Sequence, residues 1–306
     1  MFKSGFKTRA HLSLLIANII YGMNYSIAKA IMPEQIKPLA LVAIRSISAV
    51  SLFWFTSLFL PREKVSRQDI FFLAFCSLFG VVTNQVLFLV GLNYTSPVNS
   101  SIIVSTNPIF AFILAALILK ENITFLKGIG LSIGLTGVLI LILENGTPDV
   151  SSRTFVGDIL TLVNTISWAF YTVIIKRMLE KYHPVNVMKW TFFFGMFINI
   201  SLGFPSLRAT DWSAITFNGW LGIGFVLFFA TYLGYLLIAF GLRRLSPTIV
   251  STYTYLNPVI AAYLATILGQ DRIDIHMILS AVLIFTGVFV VSWQNKPNQI
   301  KPLPEK

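Results

Sequence analysis

Charge is what this chain has least of. Only 11% of its 306 residues are charged, against about 25% in a soluble domain. Hydrophobic residues make up 56% of it, so water is not its main solvent. Acid is scarcer than base, with 12 Asp and Glu against 23 Lys and Arg. All the acids and all three histidines, His11, His183 and His276, fall in loops or at the ends of apolar runs. A proton or sodium relay inside a membrane ordinarily uses Asp, Glu or His, and none is expected buried in mid-span. The single cysteine, Cys76, excludes an intramolecular disulfide and reads as a small hydrophobe in a helix. No H-E-x-x-H, P-loop or cluster of metal ligands occurs, so no cofactor or metal is expected. Gly130-Leu131-Ser132-Ile133-Gly134 does match a hydrolase elbow. That elbow needs a strand-turn-helix and a nearby base. Here it lies within an apolar run, where close helix packing through small residues explains it better.

What the chain does have is apolar length. Segments run at about 11–32, 38–60, 70–92, 97–119, 125–143, 156–178, 187–205, 216–240, 247–269 and 275–293. Each is close to the ~20 residues that cross a bilayer as a helix. Turn chemistry separates them, as at Pro61-Arg62-Glu63-Lys64 and Asn145-Gly146-Thr147-Pro148. The first run follows Lys3, Lys7 and Arg9 but is too long for a signal-peptide core, so it reads as a retained span.

The chain also repeats itself. Ser96-Pro97, Ser101, Asn107-Pro108 and Thr136-Gly137-Val138 return 150 residues later as Ser246-Pro247, Ser251, Asn257-Pro258 and Thr286-Gly287-Val288. Tyr21-Gly22 and Lys29 align with Trp168-Ala169 and Lys176, and Pro38 with Pro184. The fold expected is an all-α membrane protein of ten transmembrane helices. Its units are a five-helix repeat at 11–143, a periplasmic linker at 144–155, a second repeat at 156–293 and a cytoplasmic tail at 294–306. Five spans per unit is odd, so the units must be inverted; such repeats form a transporter architecture with its site near the midplane.

Basic residues give the orientation. With the N-terminus in the cytoplasm, inside segments hold about four times as many Lys and Arg as the outside loops, which keep only Lys37, Arg153, Arg208 and Arg272. Both termini are then cytoplasmic, in a multi-pass inner-membrane protein. The +11 net charge faces anionic lipid rather than nucleic acid.

Several motifs together are familiar. They are Tyr21-Gly22-Met23-Asn24 through Lys29, Arg45, Gly91-Leu92-Asn93-Tyr94-Thr95-Ser96-Pro97, Asn107-Pro108, Glu121, and Gly157-Asp158 leading to Trp168-Ala169-Phe170-Tyr171-Thr172-Val173. In them the chain resembles the EamA branch of the drug/metabolite transporter superfamily over nearly its whole length. The resemblance implies ten helices, a central cavity and metabolites carried across the inner membrane, often outward. Tyr21 stands where Trp is usual, and Lys120-Glu121 and Gln270-Asp271 replace a Gly-Glu pair.

Candidate substrate-binding residues are Asn24, Asn84, Gln85, Asn107, Trp168, Tyr171, Tyr235 and Asn257. Polar groups at membrane depth are costly unless they face inward. Of the adjacent Asn84 and Gln85, ~100° apart on a helix, one can line a cavity while the other bonds a neighbouring helix. Pro108 and Pro258 each remove a backbone donor in mid-helix, freeing the carbonyls of Val104 and Thr254. They are candidate helix-break or gating positions. Asn107 and Asn257 either contact the solute or satisfy that broken backbone. Lys29 and Arg45 are possible anion contacts, or cations that snorkel to headgroups.

The function expected is alternating-access movement of a small metabolite. An amino acid or another uncharged or zwitterionic solute, possibly aromatic, fits the amide and aromatic residues. Efflux without a buried carboxylate relay is the expected mode. The alternative is an anion carrier or exchanger, for a sugar phosphate or nucleotide sugar, using Lys29 and Arg45. An enzyme is not expected. The partners are the solute and the bilayer, with the chain a monomer or homodimer.

Overall fold

The computed structural model describes residues 2–119, 125–143, 152–270 and 275–293. Lys120-Glu121, Asp271, Arg272, most of the expected linker and the tail from 294 lie outside the described residues. Among the described residues every regular element is helical. The rods are α1 (Phe2–Ile31), α2 (Pro38–Ser57), α3 (Arg67–Tyr94) and α4, in two pieces (Pro97–Val104 and Asn107–Leu119). They continue with α5 (Phe125–Leu143), α6 (Arg153–Lys181), α7 (Pro184–Arg208) and α8 (Phe217–Arg244). Next comes α9, which is Pro247–Thr252 and Leu256–Ile267 joined by the 3₁₀ turn Tyr253–Tyr255, and then α10 (Ile275–Trp293).

The punctuation in the sequence becomes helix starts. Pro38, Pro97, Pro184 and Pro247 occupy the first turns of α2, α4, α7 and α9, where a missing N–H loses nothing. Ser66, Ser96, Thr216 and Ser246 cap α3, α4, α8 and α9 by accepting a backbone N–H three residues on.

Seven of these helices are long and apolar enough to cross a membrane: α1, α2, α3, α4, α6, α7 and α8. The 3₁₀ turn divides α9 into pieces too short to qualify alone. α5 and α10 are apolar helices of 19 residues each. The bundle is apolar outside, and its apolar core also holds buried polar side chains. Phe71, Leu117 and Phe217 are 76%, 68% and 78% exposed, while Asn18, Gln85 and Asn199 are buried. This suits a lipid surround, where polar groups must find partners within the protein.

Two devices hold the rods together. At the α5–α10 contact, a Cβ on Gly130 would lie 2.7 Å from the Gly287 carbonyl oxygen, and one on Gly287 would lie 2.7 Å from the Gly134 Cα. The G-x-S-x-G stretch is thus a backbone-to-backbone contact, and the Ser132 hydroxyl donates to the Gly128 carbonyl at 3.1 Å. Elsewhere, lysines bind helix C-termini. Lys29 Nζ donates to the carbonyls of Leu92, Asn93 and Thr95 at 3.0, 3.0 and 2.9 Å. Lys176 Nζ donates to those of Leu242 and Arg243 at 2.6 and 3.3 Å. In each case the cation meets the orphan carbonyls and the negative end of the helix dipole.

Among the described residues the acids lie in loops or within two turns of a helix end, but two of them are buried. Asp69 accepts from Lys181 Nζ at 2.5 Å, from the Tyr182 hydroxyl at 2.7 Å and from Ser66 Oγ at 2.7 Å. Asp158 is 1% exposed and accepts from the Thr95 hydroxyl. Gly157 makes that approach possible, since a Cβ there would lie 2.7 Å from the Thr95 nitrogen.

Candidate functional site

Two helices, α3 and α8, change pitch halfway. Leu78–Thr83 and Phe225–Leu233 are π-helical. A wider turn misaligns the backbone ladder and frees groups for other partners, often beside functional sites. In α3 the freed carbonyls are taken from other helices. Tyr235 Oη donates to the Gly80 carbonyl at 3.0 Å and Ser167 Oγ to that of Phe79 at 3.0 Å. In α8 the Thr231 hydroxyl donates to the Val226 carbonyl at 2.7 Å and accepts from Arg45 Nε at 2.8 Å. Nothing in the sequence marks these two segments.

Between them lies a cavity of about 80 Å³. Helical spacing supplies its wall. Tyr21, Asn24 and Tyr25 form one face of α1, Asn164, Thr165 and Trp168 one face of α6, and Asn84 and Phe88 one face of α3. Arg45 enters from α2, Val104 from α4, Tyr235 from α8, and Thr254 and Asn257 from α9. Asn84 Oδ1 lies 2.8 Å from Tyr235 Oη and shares its single proton with the Gly80 carbonyl, and Asn164 Nδ2 donates to the Asn84 carbonyl at 2.8 Å. The Trp168 ring meets that of Tyr235 edge-on at 5.3 Å, and Tyr25 meets Phe88 likewise at 5.3 Å.

Six residues singled out from sequence line this space: Asn24, Arg45, Asn84, Trp168, Tyr235 and Asn257. Others do not, for reasons of geometry. Gln85 is fully buried on the neighbouring face of α3. The Tyr171 ring packs where Gly80 lacks a Cβ, and its hydroxyl lies 3.7 Å from Met188 Sδ. Asn107 is 1% exposed but away from the cavity wall. The Lys29 ammonium points at its three carbonyls.

A helix break lies beside each of the two candidate prolines. Pro108 and Pro258 do not kink a continuous helix. Each is in the first turn of a new helical piece, after the turn at 105–106 and the 3₁₀ turn at 253–255. Val104, just before the first break, and Thr254, within the second, both line the cavity. Tyr21, Tyr25, Phe88, Asn164 and Thr165 were not singled out as binding residues. Asn164 was detectable as an amide in an apolar run; the others look like ordinary helix residues.

The profile of the EamA-like transporter family matches residues 8–143 and 155–293. The chain belongs to that family. It is 29% identical over 214 residues to the uncharacterized transporter YyaM of Bacillus subtilis (strain 168), covering 70% of each chain. An uncharacterized transporter of Archaeoglobus fulgidus is 25% identical over 292 residues, covering 93% of this chain and 98% of that one. A solved crystal structure aligns with a TM-score of 0.67 at 14% identity, covering 95% and 99% of the two chains, which speaks for the fold alone. This EamA-like chain is therefore a multi-pass membrane protein of transporter type, and not an enzyme.

Proposed function

We propose that this EamA-like protein is an alternating-access carrier of a small metabolite, built from two inverted units of five membrane-crossing helices. On this reading α5, α9 and α10 also cross the membrane, and the central cavity holds the solute. The observation that carries the reading is the cavity itself. Arg45, Asn24, Asn84 and Asn257 converge on one space, deep in a bundle whose outer surface is apolar. Polar groups gathered at such depth are the ordinary sign of a solute path. The paired lysine contacts of Lys29 and Lys176, the two π segments and the two broken helices α4 and α9 support the duplicated plan. Basic residues favour cytoplasmic termini in the inner membrane, and the family resemblance favours outward movement.

At about 80 Å³ the space is small beside the 300–1,000 Å³ of ligand pockets. A carrier between its open states is expected to hold a space of this size, walled here in part by Trp168 and Tyr235. Counterflow in proteoliposomes tests the reading, with labelled amino acids, nucleobases and sugar phosphates as the panel. Saturable uptake stimulated by unlabelled solute on the far side is expected. Non-saturable flux, or single-channel currents, would replace the carrier with a pore.

A further inference from the structure

A second pocket, of about 260 Å³, opens at one end of the contact between α1 and α8. Arg9, Ala10 and Ser13 of α1 line it, with Phe240, Arg243 and Arg244 of α8. Among these described lining residues three are arginines and none is an acid. Close packing brings the arginines together from the first and the eighth helix. Ala10 is buried, and a Cβ on Gly241, one turn before Arg244, would lie 2.6 Å from Leu14 Cγ. Helices this close hold the charges around one space.

The surroundings add to the positive charge. Lys176 Nζ sits at the same end of α8, on the Leu242 and Arg243 carbonyls, and Glu180 at 3.1 Å offsets that one cation. Ser13 brings no free donor, because its hydroxyl donates to the Ala10 carbonyl at 2.8 Å. The chemistry of the pocket is therefore that of clustered guanidiniums. They repel one another until an anion sits among them, and their paired N–H groups match phosphoryl oxygens.

Position says where that anion comes from. The membrane-crossing stretches of α1 and α8 are Thr8–Ile31 and Phe217–Arg244. All three arginines thus lie at span ends, at the level of lipid headgroups. Beside them the surface turns apolar, with Leu12, Ile16 and Phe240 54%, 40% and 37% exposed. A free phosphate would use the cations alone, whereas a phospholipid uses both the cations and the apolar surface. Basic pockets between membrane helices suit such headgroups.

We propose that Arg9, Arg243 and Arg244 form a binding site for the phosphoryl headgroup of an anionic phospholipid, whose acyl chains lie along Leu12, Ile16 and Phe240. The site goes beyond the carrier reading and does not depend on it. On the orientation that the basic residues favour, the lipid belongs to the cytoplasmic leaflet.

The test takes the purified full-length protein, stripped of lipid in a neutral detergent, and reads Tm and lipid retention in native mass spectrometry. The probes are phosphatidylglycerol, phosphatidylcholine with the same acyl chains, and inorganic phosphate. Phosphatidylglycerol is expected to raise Tm saturably and to stay bound, with the other two at least about tenfold weaker. Arg9→Gln, Arg243→Gln and Arg244→Gln together should weaken it about a hundredfold, at about fivefold per charge. Arg62→Gln with Lys64→Gln, in the exposed loop after α2, should leave it unchanged. Equal binding of phosphatidylcholine would overturn the site, as would an equal loss in the loop variant, which would mean general attraction to a basic surface. An equal or larger effect of inorganic phosphate would replace the lipid with a soluble phosphoryl ligand. The comparison of probes needs no variant, so a poorly folding arginine variant does not remove the test.

Discussion

At a shift of 150, Asn107 and Asn257 are the same residue before the same proline, yet only Asn257 lines the cavity. The same split recurs down the chain. Asn84 faces the space, while its counterpart Gly234 makes room for Tyr21, whose Cε1 would lie 2.8 Å from a Cβ there. Tyr235 lines it, while its counterpart Gln85 is buried behind the wall, against the Tyr235 side chain. Asn24 faces it, while Tyr171 is packed beneath Gly80. Scaffold features behave otherwise. Tyr21 and Trp168 both line the cavity, as do Val104 and Thr254, and Lys29 and Lys176 both bind a helix C-terminus. The repeat therefore conveys where walls and breaks fall, but not which half supplies the polar contacts. On the carrier reading, a site that is chemically one-sided can orient an asymmetric solute.

The strongest way to separate the halves is at the α5–α10 contact. A Cβ on Gly287 would meet only backbone atoms of Gly130 and Gly134. A Cβ on its counterpart Gly137 would meet the Ile284 and Leu283 side chains as well as the Ser280 carbonyl oxygen, at 2.9 to 3.0 Å. Side chains can shift, and backbone pinned by helix hydrogen bonds cannot. Gly287→Ala is expected to destabilise by about 3 kcal/mol and Gly137→Ala by about 1, read from unfolding in mixed micelles. Equal losses would mean that α5 and α10 slide freely.

How much of this was legible beforehand follows from which forces act locally. Caps, helix starts and apolar runs are written in short-range chemistry, so Ser96-Pro97 and Ser246-Pro247 could be read directly. Duplication made the breaks at Asn107 and Asn257 visible. The π segments were not visible, because Leu78–Thr83 and Phe225–Leu233 contain ordinary apolar helix formers. Their widened turns depend on Tyr235, Ser167 and Arg45, which lie far away in sequence. For the same reason Asn84 could not be chosen over Gln85: the choice is a rotation set by the π turn just before it. Burial of Asp158 was missed because a helix end usually means water, whereas here Gly91 and Gly157 bring two ends together.

The lysines give a smaller and graded contrast. Lys29 Nζ holds three carbonyls and Lys176 Nζ two, with a further pairing to Glu180 at 3.1 Å. Glu180 is 60% exposed, so that pair contributes little. Removing the ammonium leaves orphan carbonyls at a helix end. Lys29→Met is expected to lower stability by about 2 kcal/mol and Lys176→Met by about 1, without altering solute affinity. A loss of affinity in Lys29→Met with stability intact would return Lys29 to the list of solute contacts.

The smallest expected effect concerns the residue before each matched proline. Lys37 precedes Pro38 and its side chain caps nothing. His183 precedes Pro184, and its Nδ1 accepts from the Val185 nitrogen at 3.3 Å. Burial first, and then the Arg243 charge, hold the His183 pKa below its ordinary 6.5, with Glu63 opposing them. The unfolded chain therefore binds a proton that the folded chain resists. Stability from this group is present above pH ~6.5 and is lost as pH falls through that value towards the folded pKa. His183 is only partly buried, so the change should stay below about 0.5 kcal/mol. Thermal unfolding between about pH 7.5 and 5.5 should show a slight fall in Tm that His183→Asn flattens and Lys37→Ala does not. Identical slopes in all three proteins would show that this end of α7 carries no pH-sensitive cap, and that the two halves begin their second helices alike.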